Sequence, residues 1–243
     1  LGSIGFMFGS GGSALVSKTM GEGDADRARG LFSLFVYSTI VCGAVLSVIC
    51  FIFIRPLAAL MGAEGDMLND CVTYARILLL SLPFFMLQFE FQSFFITAEK
   101  PQLGLIVTVV CGLTNMVLDV LFMAVFSWGL VGAAAATAVS QIIGGAIPLV
   151  YFCRSGSGKL RLTKTEIDKK ALFKACTSGS SELMSNISIS IVSMLYNVQL
   201  MSYAGENGIA AYGVIMYVNM IFLAVFIGYS TGVAPVISYH YGA

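Results

Sequence analysis

One stretch of the sequence decides the fold: residues 102–126 read QLGLIVTVVCGLTNMVLDVLFMAVF, and Asp119 is their one charged residue. A helix needs about 20 mostly apolar residues to cross the roughly 30 Å hydrocarbon layer of a bilayer, because it rises about 1.5 Å per residue. Backbone groups in lipid must be hydrogen-bonded within the structure itself, so an apolar run of this length predicts a transmembrane helix.

The rest of the chain has the same character. Hydrophobic residues make up 58% of the 243 residues and charged residues only 11%, which excludes an ordinary soluble domain. The alternating ten-residue strands of a membrane β-barrel are absent from the sequence. We therefore predict an all-α fold, a polytopic transmembrane helix bundle. Six more apolar segments accompany the first, at residues up to about 20, 31–54, 77–98, 129–153, 176–203 and 208–239.

Basic residues fall almost entirely in alternate connections between these segments. Eleven of the thirteen lie on one side, and the other side carries only Arg55 and Arg76. Because cytoplasmic loops retain lysine and arginine, we expect the loops at 18–30, 99–101 and 154–175 to be cytoplasmic. The eleven are Lys18, Arg27, Arg29, Lys100, Arg154, Lys159, Arg161, Lys164, Lys169, Lys170 and Lys174.

The longest polar stretch lies at 154–175 and opens with the flexible sequence Ser155-Gly156-Ser157-Gly158. It is the one boundary in the sequence that could separate two helical bundles. Within it, Thr163-Lys164-Thr165-Glu166 has the pattern of a capping box, which predicts a short surface helix.

Asp119 is the sharpest candidate for a functional group inside the membrane. A charge at mid-bilayer costs roughly 2.5 kcal/mol or more, so a carboxyl there needs a partner or a role. Asn115 lies four residues earlier on the same helical face, and helix rise places Asp119 about 12 Å inside the outer boundary. Thr137 and Gln141 are about as deep or deeper on the next helix, so the four polar groups could converge. The alternative is a purely structural hydrogen bond between helices.

Two further carboxyl groups lie inside predicted spans. Glu90 is about ten residues from Lys100 and therefore near the midplane. Glu182 follows Lys174 by eight residues and shares a helical face with Asn186. For each of them we keep two interpretations open, a cavity-lining role and an interhelical hydrogen bond. The phenylalanine and methionine stripes are more typical of lipid contact or core than of a drug site.

Several classes of protein are excluded or disfavoured by composition. The thirteen basic and thirteen acidic residues cancel, so no basic field points to nucleic acid. The single histidine leaves no nucleophile with a base, so we do not expect an enzyme. The six cysteines form no C-x-x-C pair, and we expect no cofactor and no metal apart from a possible sodium ion at Asp119.

The residues resemble the multidrug and toxic compound extrusion (MATE) family, most closely its bacterial DinF-like and MepA-like branch. The resemblance covers the whole chain. Its clearest motifs lie at the family's second-to-third and fourth-to-fifth loops and on its fifth and sixth helices. In this sequence they are Gly21-Glu22-Gly23-Asp24 with Ala28, Ala98-Glu99-Lys100-Pro101, Asn115 with Asp119, and Gly132-Ala133-Ala134-Ala135-Ala136-Thr137 with Gln141.

The resemblance implies a two-lobe, twelve-helix transporter, of which this chain would run from the second helix to the eighth. Residues 1–153 would then be the remainder of the N-terminal six-helix lobe, 154–175 the inter-lobe loop, and 176–243 the start of the C-terminal lobe. By resemblance, Asp119, Asn115 and Thr137 belong to the cation-coupling site of the first lobe. The family's first helix, which supplies another acid to that site, is not in this sequence.

The resemblance further implies a function. Family members export organic cations, drugs and other amphipathic compounds, driven by inward movement of H⁺ or Na⁺, through rocker-switch alternating access. We expect a monomer in the bacterial inner membrane, with Gln141, Glu90, Glu182 and Asn186 as further cavity-lining candidates. The alternatives are a lipid-linked oligosaccharide flippase of the same superfamily and a non-transporting membrane receptor or assembly protein.

Overall fold

A computed structural model describes residues 2–60, 65–154, 159–165 and 168–242. Every regular element in these ranges is helical, which confirms the prediction of an all-α membrane bundle. The six α-helices are α1 (Gly2–Gly21), α2 (Ala25–Leu60), α3 (Gly65–Thr97), α4 (Pro101–Asp119), α5 (Gly129–Cys153) and α6 (Lys169–Gly242), and a π-helical turn at Val120–Val125 follows α4.

Five stretches of helix are long and apolar enough to cross a membrane by length and composition, among the described residues. They are Ala25–Ala59, Gly65–Thr97, Pro101–Val125, Gly129–Cys153 and Ala211–Gly242. Two predicted apolar segments, up to 20 and 176–203, also form helix but fall outside this set. The first is α1, whose glycines and serines are buried between other helices, so it does not need an apolar surface for lipid.

Helix α6 contains a sharp break. Gly205 has φ 61° and ψ −156°, which is not a helical conformation, so α6 consists of a first half at 169–204 and a second half at 206–242. The two predicted segments at 176–203 and 208–239 correspond to these halves. The start of the first half was predicted too late, because the helix already begins at Lys169.

The start of α6 is capped by Asp168, which was not predicted. Its Oδ1 accepts hydrogen bonds from the backbone N–H groups of Lys170 (3.0 Å) and Ala171 (3.1 Å). The prediction of a helix start at the capping box 163–166 was wrong for the described part of that stretch, because residues 159–165 are not helical. Glu166 lies outside the described residues. An Asp side chain satisfies the free N–H groups of a first helical turn in the same way as the predicted threonine.

Helix α1 lies at the centre, packed against α2, α3 and α6. Its glycines let the backbones touch: a Cβ at Gly5 would lie 2.3 Å from the carbonyl oxygen of Met86, and one at Gly11 would lie 2.1 Å from that of Ala175. Lipid supplies no hydrophobic driving force between helices, so close contact through small residues is how membrane helices gain packing energy.

The aromatic core lies among α2, α3 and α5. The Phe32 ring centroid is 4.8 Å from that of Phe94 and 4.9 Å from that of Phe152, and Phe91 stacks on Phe152 at 5.5 Å. All four side chains are fully buried. This cluster fixes α2, α3 and α5 to each other at one end of the bundle.

That end also carries the predicted cytoplasmic loops. Arg29 Nε donates to the carbonyl of Lys159 (3.2 Å), and Lys159 Nζ pairs with Glu99 (2.5 Å). The backbone N–H of Thr163 donates to Ser33 Oγ (2.8 Å). The structure therefore brings the three basic connections together on one side, which we call the basic end.

Candidate cation-coupling site and cavity

Asp119 is the last residue of α4, and the π-helical turn begins immediately after it. In this turn the N–H of Phe126 donates to the carbonyl of Leu121, five residues earlier (3.0 Å). Such π-turns inside helices are frequent at functional sites. This turn could not be predicted, because all six of its residues are apolar and continue the helical pattern.

Asp119 and Asn115 are both half-buried on α4. The ion pairs among the described residues involve Glu22, Asp26 and Glu99, and none of them reaches Asp119. The Asp119 carboxyl is therefore not neutralised by a lysine or arginine in this part of the chain. A carboxylate without a basic partner inside a membrane bundle is a group that can take up a cation.

The neighbouring helix α5 holds the other two predicted members of the site. The half-buried Thr137 donates its hydroxyl to the backbone carbonyl of Ala133 (3.0 Å). Gln141 Oε1 accepts a hydrogen bond of 2.6 Å from Ser81 Oγ on α3. Helices α4 and α5 do pack together as predicted from their short connection, but the recorded partner of Gln141 lies on α3, away from Asp119.

A cavity of about 570 Å³ lies between α1, α3 and both halves of α6. Glu182 and Asn186 line it from α6, and Asn186 also donates to the carbonyl of Glu182 (2.8 Å). Three phenylalanine rings form much of its wall; the Phe85 and Phe89 centroids are 4.9 Å apart, and Phe6 lies 6.1 Å from Phe89. The other lining residues are Gly2, Ser3, Gln92, Met220 and Ile227.

The structure corrects the expectation that Glu90 lines a cavity. The Glu90 side chain is fully buried, with no exposed surface, and is not part of the wall of this cavity. The polar residue of α3 that lines it is Gln92, which is on a different helical face from Glu90. The aromatic wall was also missed, since phenylalanine stripes were assigned to lipid contact or core; only the packing of α1 against α3 brings Phe6 beside Phe89.

Together these features define a multi-pass helical membrane protein with a polar and aromatic cavity between its helices. The MatE family model matches residues 1–121. The multidrug export protein MepA of Staphylococcus haemolyticus is 28% identical over 240 residues, which are 98% of this chain and 53% of that protein.

Solved structures share the fold. An outward-facing multidrug resistance MATE family transporter superposes with a TM-score of 0.89, at 22% identity over 99% of this chain and 54% of that one. An inward-facing multidrug resistance MATE family transporter superposes with a TM-score of 0.79, at 20% identity over 98% of this chain and 52% of that one. Residues 1–121 therefore match the MATE family, and the likeness to multidrug export proteins extends over nearly the whole chain. It spans about half the length of the curated relatives that it matches.

Proposed function

We propose that this protein is a cation-coupled antiporter that exports organic cations, drugs and other amphipathic compounds across the membrane. The observation that carries the proposal is the cavity between α1, α3 and α6, which combines apolar and aromatic walls with the carboxyl of Glu182. The names of its relatives, multidrug export proteins, support the same function.

The lining of the cavity suits an amphipathic cation. The faces of Phe6, Phe85 and Phe89 offer apolar contact and cation–π attraction, each interaction worth about 0.5–2 kcal/mol. A carboxylate at Glu182 supplies the opposite charge, and Asn186 and Gln92 can orient polar groups. Flexible side chains such as Met220 accommodate ligands of different shape, which favours broad specificity.

Asp119 is our candidate for the coupling site, with Asn115 and Thr137 as its neighbours. In this proposal a proton or a sodium ion binds at Asp119 and biases the equilibrium between two arrangements of the α1–α5 bundle and α6. A bound cation shifts such an equilibrium only by the difference between its affinities for the two states. Inward flow of the cation can therefore drive outward movement of the compound in the cavity.

A lipid-linked oligosaccharide flippase is less well supported. Such a protein must bind a diphosphate, for which arginine and lysine are the usual ligands. Among the residues that line the 570 Å³ cavity there is a carboxylate but neither lysine nor arginine.

The test is Asp119→Asn in the intact protein, reconstituted in proteoliposomes with a fluorescent organic cation. Because the amide cannot bind a proton and holds sodium weakly, we expect gradient-driven transport to be lost while membrane insertion is unchanged. Imposing the H⁺ and Na⁺ gradients separately identifies the coupling ion.

The matched control is Asp70→Asn, the same change at an exposed carboxyl near the start of α3. This variant should transport like the unmodified protein. Undiminished gradient-driven transport by Asp119→Asn would contradict the proposed coupling site, and absence of transport in the unmodified protein under both gradients would contradict the proposed function.

A further inference from the structure

Glu90 is a buried carboxyl that neither the cavity nor the Asp119 site uses. It has no exposed surface, and within the described chain neither of its oxygens has a hydrogen-bond partner. The hydroxyl of Thr39 on α2 lies beside Glu90, but the two groups do not meet the geometric criteria of a hydrogen bond. The Thr39 hydroxyl has no other hydrogen-bond partner among the described residues. An unpaired charge in such a place is strongly destabilising, so this carboxyl needs a proton or a cation on it.

A line of buried hydroxyl groups leads away from Glu90 along the contact between α3 and α1. On α3, Ser93 and Thr97 follow Glu90 on the same helical face. Ser93 Oγ faces Gly9 of α1, where a Cβ would lie 3.3 Å from it. Further along, Ser17 Oγ of α1 donates to Thr97 Oγ1 (3.2 Å).

We call the four side chains Ser93, Thr97, Ser13 and Ser17 the hydroxyl stripe. Each is buried, with at most 7% of its surface exposed. Gly9, Ser13 and Ser17 are spaced by four residues and so share the face of α1 that meets α3. Hydroxyl groups both donate and accept hydrogen bonds, so a row of them can pass a proton from one oxygen to the next.

The hydroxyl stripe ends at an opening on the basic end. Ser17 and Thr97 both line a cavity of about 270 Å³ between α1, α3 and the second half of α6. Three titratable groups, Glu99, Tyr239 and His240, line this cavity, and Glu99 and His240 can accept a proton. The stripe therefore lies between a buried carboxyl and a space that holds proton acceptors at the predicted cytoplasmic side.

We propose that Glu90 is a proton-exchange site connected to the basic end through the hydroxyl stripe. In the release step the Glu90 carboxyl, which has no hydrogen-bond partner in the conformation described, turns towards Ser93; its O–H bond then breaks and its proton passes to the Ser93 hydroxyl. That hydroxyl gives up its own proton towards Thr97 and Ser17, and one proton leaves to water in the cavity. Glu90 remains as a carboxylate until the reverse sequence returns a proton, so charge and atoms balance.

The groups that contact Glu90 from the helices packed against it are uncharged. They are Gly9 on α1 and Thr39 on α2. Cys42 is the titratable side chain one turn beyond Thr39, and it packs against the cluster that contains Met86. Exchange at Glu90 would place a second protonatable group in the α1–α5 bundle, nearer to the basic end than Asp119. Its use in coupling rests on the proposed function, whereas the exchange itself does not.

The experiment is infrared difference spectroscopy of the intact protein in lipid, without substrate or gradient. We expect the unmodified protein to show the C=O stretching band of a protonated carboxyl. This band should be absent from Glu90→Gln and shifted in frequency in Glu90→Asp. On transfer to deuterated buffer the band should shift as the proton exchanges. Removing the stripe with Ser93→Ala and Thr97→Val together should slow this exchange severalfold.

The matched control is Thr108→Val, which removes an exposed hydroxyl on α4 that bonds only to the carbonyl of Gly104. It should leave the exchange rate unchanged. The proposal is overturned if the unmodified protein has no band that Glu90→Asp shifts, or if the exchange is equally fast without the stripe. This experiment measures no transport, so a negative result of the Asp119→Asn test does not affect the proposal for Glu90. A negative result here does not affect the proposed transport function either. If Glu90→Gln does not fold, the proposal is still tested by comparing the proton-exchange rate of the unmodified protein with that of the Ser93→Ala and Thr97→Val variant.

Discussion

At the scale of single residues, two of the three intramembrane acids, Asp119 and Glu90, stand in different surroundings. Asp119 is half-buried at the end of α4, with no basic partner among the described residues, whereas Glu90 is sealed between α1, α2 and α3. A half-buried carboxyl can exchange an ion directly with a cavity or with solvent. A sealed one can do so only through neighbouring polar groups, which is why the hydroxyl stripe matters for Glu90 and not for Asp119.

Gly5 is the residue where side-chain size should matter most for packing. A Cβ there would lie 2.3 Å from a backbone oxygen of Met86, which cannot move aside without shifting α3. We expect Gly5→Ala to lower the stability of the purified protein by about 1–3 kcal/mol, as overpacking does in other well-packed interiors. Thermal unfolding in detergent measures the effect.

The control for this prediction is Gly112→Ala on α4, where a Cβ would meet nothing within 4 Å. Alanine is the better helix former by roughly 1 kcal/mol, so this variant should be as stable as the unmodified protein or slightly more so. Equal melting temperatures for the two alanine variants would show that α1 and α3 are not packed as described.

At the scale of elements, the break at Gly205 decides the course of α6. Its φ of 61° and ψ of −156° lie in a region that is essentially restricted to glycine. We expect Gly205→Ala to destabilise the protein by about 1–3 kcal/mol, because the Cβ would strain the backbone at the turn between the two halves. Thermal unfolding is again the measurement.

Gly213→Ala is the matched control in the same helix. Gly213 has ordinary helical backbone and open space around its Cβ position, so alanine should be tolerated there. If Gly205→Ala and Gly213→Ala unfold at the same temperature, the turn at 205 does not require a positive φ.

The π-helical turn is the second element-scale feature with consequences. It widens the helix directly after Asp119 and leads into a stacked aromatic group, in which the Trp128 ring lies 5.1 Å from Phe122 and 5.5 Å from Phe126. The turn thus places the candidate coupling carboxyl between a regular helix and an anchored aromatic end. Such turns are frequent at functional sites, so in the proposed mechanism this turn is the local element on which ion binding at Asp119 would act.

At the scale of the whole molecule, α1 forms the contact between the α1–α5 bundle and α6. The contact is close along most of α1, where Met7, Gly11 and Lys18 meet the backbones of Gly179, Ala175 and Gly242. The large cavity lies at the start of α1, around Gly2 and Phe6. α1 and α6 are in contact at the basic end, and the alternating access proposed above requires that this contact open during the cycle.

Linking the two bodies at the basic end should therefore stop transport. Met20 and Val236 line the same cavity from α1 and α6. We expect cysteines at these two positions, in a background without native cysteines, to be joined by a short cleavable cross-linker, with loss of transport of a fluorescent organic cation. Cleavage of the linker should restore transport, since the cause is a mechanical restraint.

The single variants Met20→Cys and Val236→Cys, treated with the same reagent, are the controls and should retain transport. Full transport by the cross-linked double variant would mean that this contact does not open during the cycle. It would count against alternating access by movement of α6 relative to the α1–α5 bundle, while leaving the fold untouched.

The sequence by itself determined the fold class, the course of the apolar segments and the family. Long apolar runs such as 102–126 leave the backbone no alternative to a helix in lipid, and the placement of lysine and arginine identified the end where the connections meet. Both signals depend on the chain's own composition and can be read from it without knowing which helices touch.

Only the tertiary structure decided which polar side chains share a site. Glu90 and Gln92 are two residues apart, yet one is sealed beside Thr39 while the other lines the large cavity. Gln141 bonds to Ser81 on α3, although it was predicted as a possible member of the site around Asp119. Periodicity gives the face of a helix on which a residue lies, but the neighbour of that face depends on how closely glycine-rich helices such as α1 approach, which is set by packing among several helices at once.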